Sequence, residues 1–458
     1  MAIATLNPAT GETEKTFDPH TPAEVERRLT LAAAAFETLK GTTFAQRGEW
    51  MRAAADLLDA DLEPLAEILT REMGKPIGAA RAEVAKCAKG MRFYAEHAEA
   101  FLADEPLADP SSVGAARAVA RYQPLGVILA VMPWNYPLWQ VVRFAAPALM
   151  AGNTGVLKHA SNVPQAALYL DTLYERGGFP PGAFTTLLIG STEVAAVIED
   201  PRVRAVTLTG SEPAGRSVAS IAAAQVKKSV LELGGSDPFI VMPSADLDAA
   251  IATAVTARTI NNGQSCISAK RFIVHDAVYD TFLAGFTAAM AALRIGNPLD
   301  EDTQVGPIAT SSGRDELAEL VEDARAKGAD ILTGGTVPDG PGWFYPPTVV
   351  AGVTPAMRLH LEETFGPVAT VYRVKDADEA IRLANVTDFG LSSSVWTTDA
   401  AERERFEREI EAGAVFVNGM TISYPELPFG GIKNSGFGRE LAAAGIREFC
   451  NLKTVWEA

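Results

Sequence analysis

The first hundred residues carry a helical texture. Thr21-Pro22-Ala23-Glu24 is a capping box with proline at the first helical position. Apolar residues then recur at helical spacing through Leu39, and Gly41 ends the run. Further helical patterns cover Phe44 to Leu58 and Ile77 to Leu102. From Gly126 the texture changes to short β-branched runs alternating with helical stretches. Strands are predicted at Gly126–Met132, Thr154–Lys158, Arg204–Thr209 and Ser229–Leu233. Helices are predicted near Leu138–Met150, from about Val163, and opening at Gly210–Gly215. Continuous apolar strands alternating with helices are the pattern of a buried parallel sheet. A second alternation runs from Phe239 to about Thr421 and includes the helix Asp246–Ile260, the strand Arg271–His275 and the helix Asp276–Leu293. Two α/β units in tandem are the simplest architecture. The polar, small-residued segment Asp109–Gln123 stands apart as an excursion from the first unit.

Composition narrows the classes. A chain of 458 residues with 48% hydrophobic and 21% charged positions has the makings of a large core. The net charge of −17 argues against a nucleic-acid partner or an anionic membrane surface, both of which want a basic face. Cys87, Cys266 and Cys450 are far apart and odd in number, and the five histidines are scattered, so neither a disulfide framework nor a metal site is predicted. Met1–Phe17 lacks a basic segment followed by an apolar run. The apolar stretch Gly126–Gly152 is broken by prolines, Asn135, Gln140 and Arg143, which is unlike a membrane span. A reducing cytoplasm is the expected compartment.

Three residues carry candidate chemistry. Cys266 follows Asn261-Asn262-Gly263-Gln264-Ser265, a polar, glycine-containing stretch between a helix and a strand. There the thiol can sit at an exposed turn and act as a nucleophile toward carbonyl carbon; a buried, inert cysteine is the alternative. Glu232, in Leu231-Glu232-Leu233-Gly234-Gly235, ends a strand. Between leucines its carboxylate would be partly desolvated, which raises its pKa and makes it usable as a base; an edge-strand glutamate in solvent is the alternative. Asn135, in Pro133-Trp134-Asn135-Tyr136-Pro137, lies at the C-terminal end of the first parallel strand, where open α/β sheets bind ligands. Its amide can donate to an oxyanion or can be an ordinary turn asparagine. Gly210-Ser211-Glu212-Pro213-Ala214-Gly215 opens a helix whose free amides suit phosphate, although its glycines do not form GxGxxG. Lys158, at a neighbouring strand end, is placed for ribose or phosphate, or for water.

These motifs, with Glu363-Thr364-Phe365-Gly366-Pro367 and Pro428-Phe429-Gly430-Gly431, occur in the order and spacing of the aldehyde dehydrogenase superfamily, which the chain resembles over nearly its whole length. The resemblance implies a Rossmann-type cofactor domain (1–108 and 124–234), an α/β catalytic domain (235–437) and a small β bridging element (109–123 and 438–458) that pairs subunits into a homodimer or homotetramer. It implies Cys266 as nucleophile, Glu232 as base, and Asn135 with the Cys266 amide as the oxyanion hole. It places Gly210 and Ser211 on the pyrophosphate, and Trp134, Lys158, Leu233, Glu363 and Phe365 along the cofactor.

The resemblance is strongest to bacterial succinate-semialdehyde dehydrogenases that use NADP. NAD-preferring relatives often carry a glutamate where this chain has Ser161. A hydroxyl there removes repulsion toward a 2′-phosphate, so NADP is expected over NAD, with NAD possible. For the distal carboxylate of a semialdehyde, Arg143 offers a guanidinium and Ser423 a hydroxyl. The second arginine that some relatives place just before the nucleophile is Asn261 here, which weakens the succinate-semialdehyde assignment or implies looser carboxylate binding. Ser268 in place of a cysteine leaves no neighbouring thiol for a redox switch. Three alternatives stay open: a dehydrogenase that passes the acyl group to coenzyme A, a cofactor-free cysteine hydrolase, and a non-catalytic family member. A broader-specificity NAD(P)-dependent aldehyde dehydrogenase is the alternative on substrate.

Overall fold

A computed structural model describes residues 2–458. Two large sheets organise the chain. The first has six strands in the order Gly436–Phe437, Lys228–Glu232, Val203–Thr209, Val127–Met132, Thr154–His159, Phe184–Thr186. All its neighbours pair in parallel except the short Gly436–Phe437 edge strand. Val127–Met132 is buried almost throughout, which explains why it reads as an unbroken apolar run; Thr154–His159 is equally buried but ends in Lys158 and His159. The chain runs outward from Val127–Met132 to Phe184–Thr186, then returns to add Val203–Thr209 on the other side. That reversal opens a crevice at the C-terminal ends of Val127–Met132 and Val203–Thr209.

The second sheet has seven strands in the order Asp330–Thr333, Thr348–Ala351, Val368–Val374, Arg271–His275, Pro238–Val241, Ser393–Trp396, Val415–Val417. Only the Asp330–Thr333 edge is antiparallel. A third sheet pairs Cys450–Glu457 with Arg117–Pro124, and Arg117–Pro124 with Glu105–Pro106. The polar excursion and the tail therefore meet in one sheet, which also draws in residues ahead of Asp109.

The expected helices form with boundaries shifted by a few residues. Thr21 caps Pro22–Leu39 by accepting from the Glu24 amide, and Thr43 caps Phe44–Ala60. Ile77–Phe101, Trp139–Ala151 and Pro164–Arg176 follow. The helix after Val203–Thr209 opens within Gly210–Gly215 as expected, with Ser211 as its N-cap and Glu212 its first residue. One expectation needs correction, for the N-terminal hairpin. The first hundred residues are not all helical: Ile3–Asn7 and Glu12–Phe17 form an antiparallel hairpin, turned at Gly11 with φ +77°. Glu12–Phe17 is exposed and polar, so it carries no period-2 apolar signal. Tertiary contacts hold the hairpin: the Ala4 amide donates to the Ser161 carbonyl, and Thr5 Oγ1 donates to the buried Glu72 carboxylate at 2.8 Å. Among the described residues, no helix is long and apolar enough to cross a membrane.

Candidate active site

The crevice between the two large sheets holds the expected nucleophile. Cys266 follows a turn, Ile260–Gly263, in which Asn261 (φ 56°), Asn262 (φ 59°) and Gly263 (φ +73°) are all left-handed. Asparagine tolerates that conformation better than most side chains. Here both asparagine amides also bind. Asn262 donates to the Gly74 carbonyl (2.8 Å) and the Pro307 carbonyl (3.0 Å) and accepts from the Gly306 amide (2.8 Å). Asn261 donates to the carbonyls of Asn135 (2.8 Å) and Gln264 (3.0 Å). The position where some relatives carry an arginine therefore ties the nucleophile turn to the Trp134-Asn135 loop. Beneath the turn, buried Arg258 donates to the Gly263 carbonyl at 2.6 Å. Lys270 donates to the carbonyls of Ser265 (3.0 Å) and Cys266 (2.7 Å). Cys266 is consequently half-buried at a turn held by these bonds, neither fully exposed nor in the core. Burial pushes its thiol up to about 12, with the positive charges of Arg143 and Lys270 pulling the other way.

Asn135 is buried against this loop. Its Nδ2 donates to the Gln264 carbonyl (3.1 Å), and its Oδ1 accepts from Gln140 Nε2 (3.0 Å). These two bonds set the orientation of the amide.

Glu232, at the C-terminal end of Lys228–Glu232, is 1% exposed and not in solvent. Neither of its carboxyl oxygens has a hydrogen-bond partner among the described residues. A Cβ added at Gly430 would lie 2.7 Å from Glu232 Oε1, so the carboxyl group is tucked against that backbone. Its pKa is pushed well above the usual carboxylate range, first by burial and then by the neighbouring Glu440 charge, against the pull of Arg143 and Arg439. Buried Glu440 is itself raised by desolvation, and its carboxylate ion-pairs with Arg143 Nε.

A cavity of about 270 Å³ opens beside Cys266. Lys75, Lys86, Trp139, Arg143, Ser423 and Phe429 are among its walls. Arg143 and Ser423, the residues expected to meet substrate, both reach it. Arg143, however, is already engaged: besides Glu440, it donates to Thr209 Oγ1 at 3.1 Å and lies 4.8 Å from the Phe429 ring centroid. Ser423 accepts from Trp139 Nε1 (2.9 Å) and Lys86 Nζ (2.8 Å), which leaves its own proton free to donate.

On the other side of the crevice lie the residues expected to bind cofactor. Gly210 and Ser211 precede the helix Glu212–Ala224, and Ser211 makes no side-chain cap bond, so the helix's first amides face outward. Leu233 packs over Gly215, where a Cβ would meet it at 2.6 Å. Trp134 and Phe365 stand edge to face at 5.7 Å. Glu363 accepts from the Gly235 amide (3.1 Å) and ion-pairs with Lys270 (3.3 Å). Lys158 is 9% exposed and forms no ion pair with any described residue; burial lowers its pKa. A largely buried ammonium with only the nearby Glu193 charge acting on it fits an anionic dinucleotide. Ser161 lies farther along the same sheet edge, where its carbonyl holds the N-terminal hairpin.

The sequence matches the aldehyde dehydrogenase family over residues 1–455. The chain belongs to that family. Among its relatives, succinate-semialdehyde dehydrogenases (NADP+) of Mycobacterium avium and Mycobacterium tuberculosis are 64% and 63% identical, covering 100% of this chain and 97% and 100% of theirs. The solved succinic semialdehyde dehydrogenase of Streptococcus pyogenes, in complex with NADP+ as the cofactor, is 37% identical with a TM-score of 0.96 over 99% of both chains. As an aldehyde dehydrogenase, the chain carries several site residues that the motifs did not flag. Gln140 and Lys270 lie close in sequence to Asn135 and Cys266, and that proximity was the available signal. Glu440 and Lys86 had none: each reaches the site only through the fold, and Lys86, three residues after Glu83, reads as an ordinary helix-surface charge pair.

Proposed function

We propose that this aldehyde dehydrogenase oxidises succinate semialdehyde to succinate with NADP+. The observation that carries the reading is Cys266 opening into a cavity that presents cations and a hydroxyl beside it. The names of the relatives at 63–64% identity support the substrate and the cofactor. A bound dinucleotide would supply the hydride acceptor.

The chain's own residues do the rest. Cys266 sulfur adds to the aldehyde carbon. The Asn135 amide and the Cys266 backbone N–H receive the oxyanion. Loss of hydride leaves a thioester on Cys266. Glu232 then deprotonates a water that releases the acid. In the conformation described, Glu232 rests beside Glu440, away from the cavity wall. Its two unpartnered oxygens mean that it breaks no hydrogen bond on rotating toward Cys266. The resting thiol, pushed up by burial, passes its proton to water in the crevice as its sulfur adds to the carbonyl carbon.

Lys158, Trp134, Leu233, Glu363, Phe365, Gly210 and Ser211 would hold the dinucleotide, and Ser161 would leave room for a 2′-phosphate. The same reading treats the six-stranded sheet as the core of the cofactor domain, the seven-stranded sheet as that of the catalytic domain, and the three-stranded sheet as the bridge of a cytoplasmic homodimer or homotetramer. Exposed Leu452 and Trp456 on the terminal strand supply apolar surface for such a contact.

The test is steady-state kinetics on aldehydes with and without a terminal carboxylate, with each cofactor, followed at the reduced-nicotinamide absorbance. A preference for succinate semialdehyde and NADP+ is expected. Equal turnover of carboxylated and plain aldehydes would remove the substrate assignment. Formation of an acyl-CoA on addition of coenzyme A would redirect the product.

A further inference from the structure

The sheet fixes Lys158, which pairs in register with Val131 of the neighbouring strand. That pairing ends at His159. Ser161 lies beyond it, in the 160–163 link that leads to the helix Pro164–Arg176. The helix has no cap of its own. Its N-cap residue is Val163, which carries no side-chain acceptor, and Pro164 in its first turn has no N–H. The amides of Gln165 and Ala166 must therefore find an acceptor elsewhere.

Glu72, the penultimate residue of the helix Leu62–Met73, supplies it. Its Oε1 accepts from the Gln165 amide (2.8 Å) and its Oε2 from the Ala166 amide (3.1 Å). The same Oε1 accepts from Thr5 Oγ1 (2.8 Å) on the N-terminal hairpin, and Thr5 Oγ1 accepts in turn from Gln165 Nε2 (3.0 Å). Glu72 and Thr5 are both fully buried. One residue before Thr5, the Ala4 amide donates to the Ser161 carbonyl (3.0 Å). The link is thus held at both ends, by the hairpin at Ser161 and by Glu72 at the first turn of the helix. Among the described residues Glu72 ion-pairs with no cation; the positive end of the helix dipole faces it instead. Burial pushes its carboxyl up to about 7, and the bonds from Gln165, Thr5 and Ala166 pull the other way. A carboxyl group buried at that cost stays in place through the bonds it makes.

We propose that Glu72, with Thr5, is a positioning residue for cofactor choice: it fixes the 160–163 link so that Ser161 stands where a 2′-phosphate arrives. This role rests on the NADP reading and on the place of Ser161 within it. The pyrophosphate is assigned to Gly210 and Ser211, at a different strand–helix junction to which Glu72 donates and accepts nothing. Slack in the link therefore falls on the 2′-phosphate and spares the rest of the dinucleotide.

The test reads binding by isothermal titration calorimetry, without turnover. The full-length wild type, Glu72→Gln, Thr5→Val, Ser161→Ala and the double variant Ser161→Ala with Glu72→Gln are titrated with adenosine 2′,5′-bisphosphate and with adenosine 5′-monophosphate. Glu72→Gln keeps the shape of the side chain but sets an NH₂ group against one of the two helix amides. The wild type should favour the bisphosphate. Glu72→Gln and Thr5→Val should each weaken it about fivefold, the size of one lost hydrogen bond, with the monophosphate changed by less than about twofold. Because Glu72 acts through Ser161, the double variant should bind the bisphosphate as Ser161→Ala does. Equal weakening of both nucleotides would mean that Glu72 and Thr5 only support the fold, and would overturn the proposal. A wild-type preference kept by both variants, or a further loss in the double variant, would overturn it as well. Ser161→Ala binding both nucleotides as the wild type does would overturn the reading of Ser161 itself, and the proposal with it. Should Glu72→Gln not fold, Thr5→Val reads the same ratio.

Discussion

The orientation of the Asn135 amide offers a sharp test of the oxyanion scheme. One Nδ2 hydrogen is spent on the Gln264 carbonyl at 3.1 Å, and Oδ1 is held by Gln140 Nε2 at 3.0 Å. Rotating the amide by half a turn would set its oxygen against the Gln264 carbonyl and its NH₂ against that of Gln140. Two neutral hydrogen bonds at about 1 kcal/mol each would be lost, so the donor-forward orientation is favoured by about 2 kcal/mol, or roughly 30-fold. The second Nδ2 hydrogen is then available for the oxyanion. Removing that donor with Asn135→Ala should slow formation of the thioester about 10²–10³-fold, as for loss of one oxyanion donor. Gln140→Leu deletes only one of the two orienting bonds. It should cost about fivefold, the equivalent of about 1 kcal/mol. The assay is the pre-steady-state burst of reduced nicotinamide in a stopped-flow instrument, which reports acylation and hydride loss apart from hydrolysis. Iodoacetamide labelling of Cys266 and thermal melting serve as controls for an intact nucleophile and fold. A burst rate in Asn135→Ala within tenfold of wild type would refute the assignment. So would Gln140→Leu falling as far as Asn135→Ala with unchanged melting, because orientation would then outweigh the donor itself.

The other expectations are simpler to read. Glu232→Gln should retain the burst and lose steady-state turnover, so that one equivalent of acyl-enzyme accumulates on Cys266 and is visible by intact-protein mass spectrometry; a variant that turns over normally would exclude Glu232 as the base. Glu232 acts as a base only when ionised, and burial with the Glu440 charge raises its pKa, so hydrolysis should decline on acidification at a higher pH than an ordinary carboxylate would give. Glu440→Gln removes the like charge and should move that acid limb to lower pH; a limb that stays in place would show that the two carboxyl groups are not coupled. Ser161→Glu brings a carboxylate toward the site expected for the 2′-phosphate and should raise KM for NADP+ about 10- to 100-fold while sparing NAD+; an unchanged cofactor ratio would detach Ser161 from cofactor choice.

The legible part of this protein is the part whose signal is local. A strand buried on both faces, such as Val127–Met132, reads as an apolar run, and helices such as Pro22–Leu39 announce their start through Thr21. The candidate motifs were legible because each lies at a strand end or turn, where a parallel sheet brings distant segments to one edge. Cys266, Glu232 and Asn135 could therefore be named as candidates before any geometry was known. The hairpin Ile3–Asn7 with Glu12–Phe17 was not legible, because its outer strand is polar and contacts with Ser161 and Glu72 hold the inner one.

Partnership was decided by the tertiary structure alone. Arg143 was visible as a guanidinium near the site, but Glu440, nearly three hundred residues away, determines what that guanidinium is free to bind. Glu232 was visible as a desolvated carboxylate, but its resting place against Gly430 is a property of the packed chain. Lys86 and Ser423, from opposite ends of the sequence, meet at 2.8 Å only because the long helix Ile77–Phe101 lies against the start of Trp139–Ala151. Residue type and local periodicity determine which groups can ionise, donate or attack. Which of those groups is left without a partner in a dry cavity depends on every other charge folded around it, and that is a long-range sum no local pattern encodes.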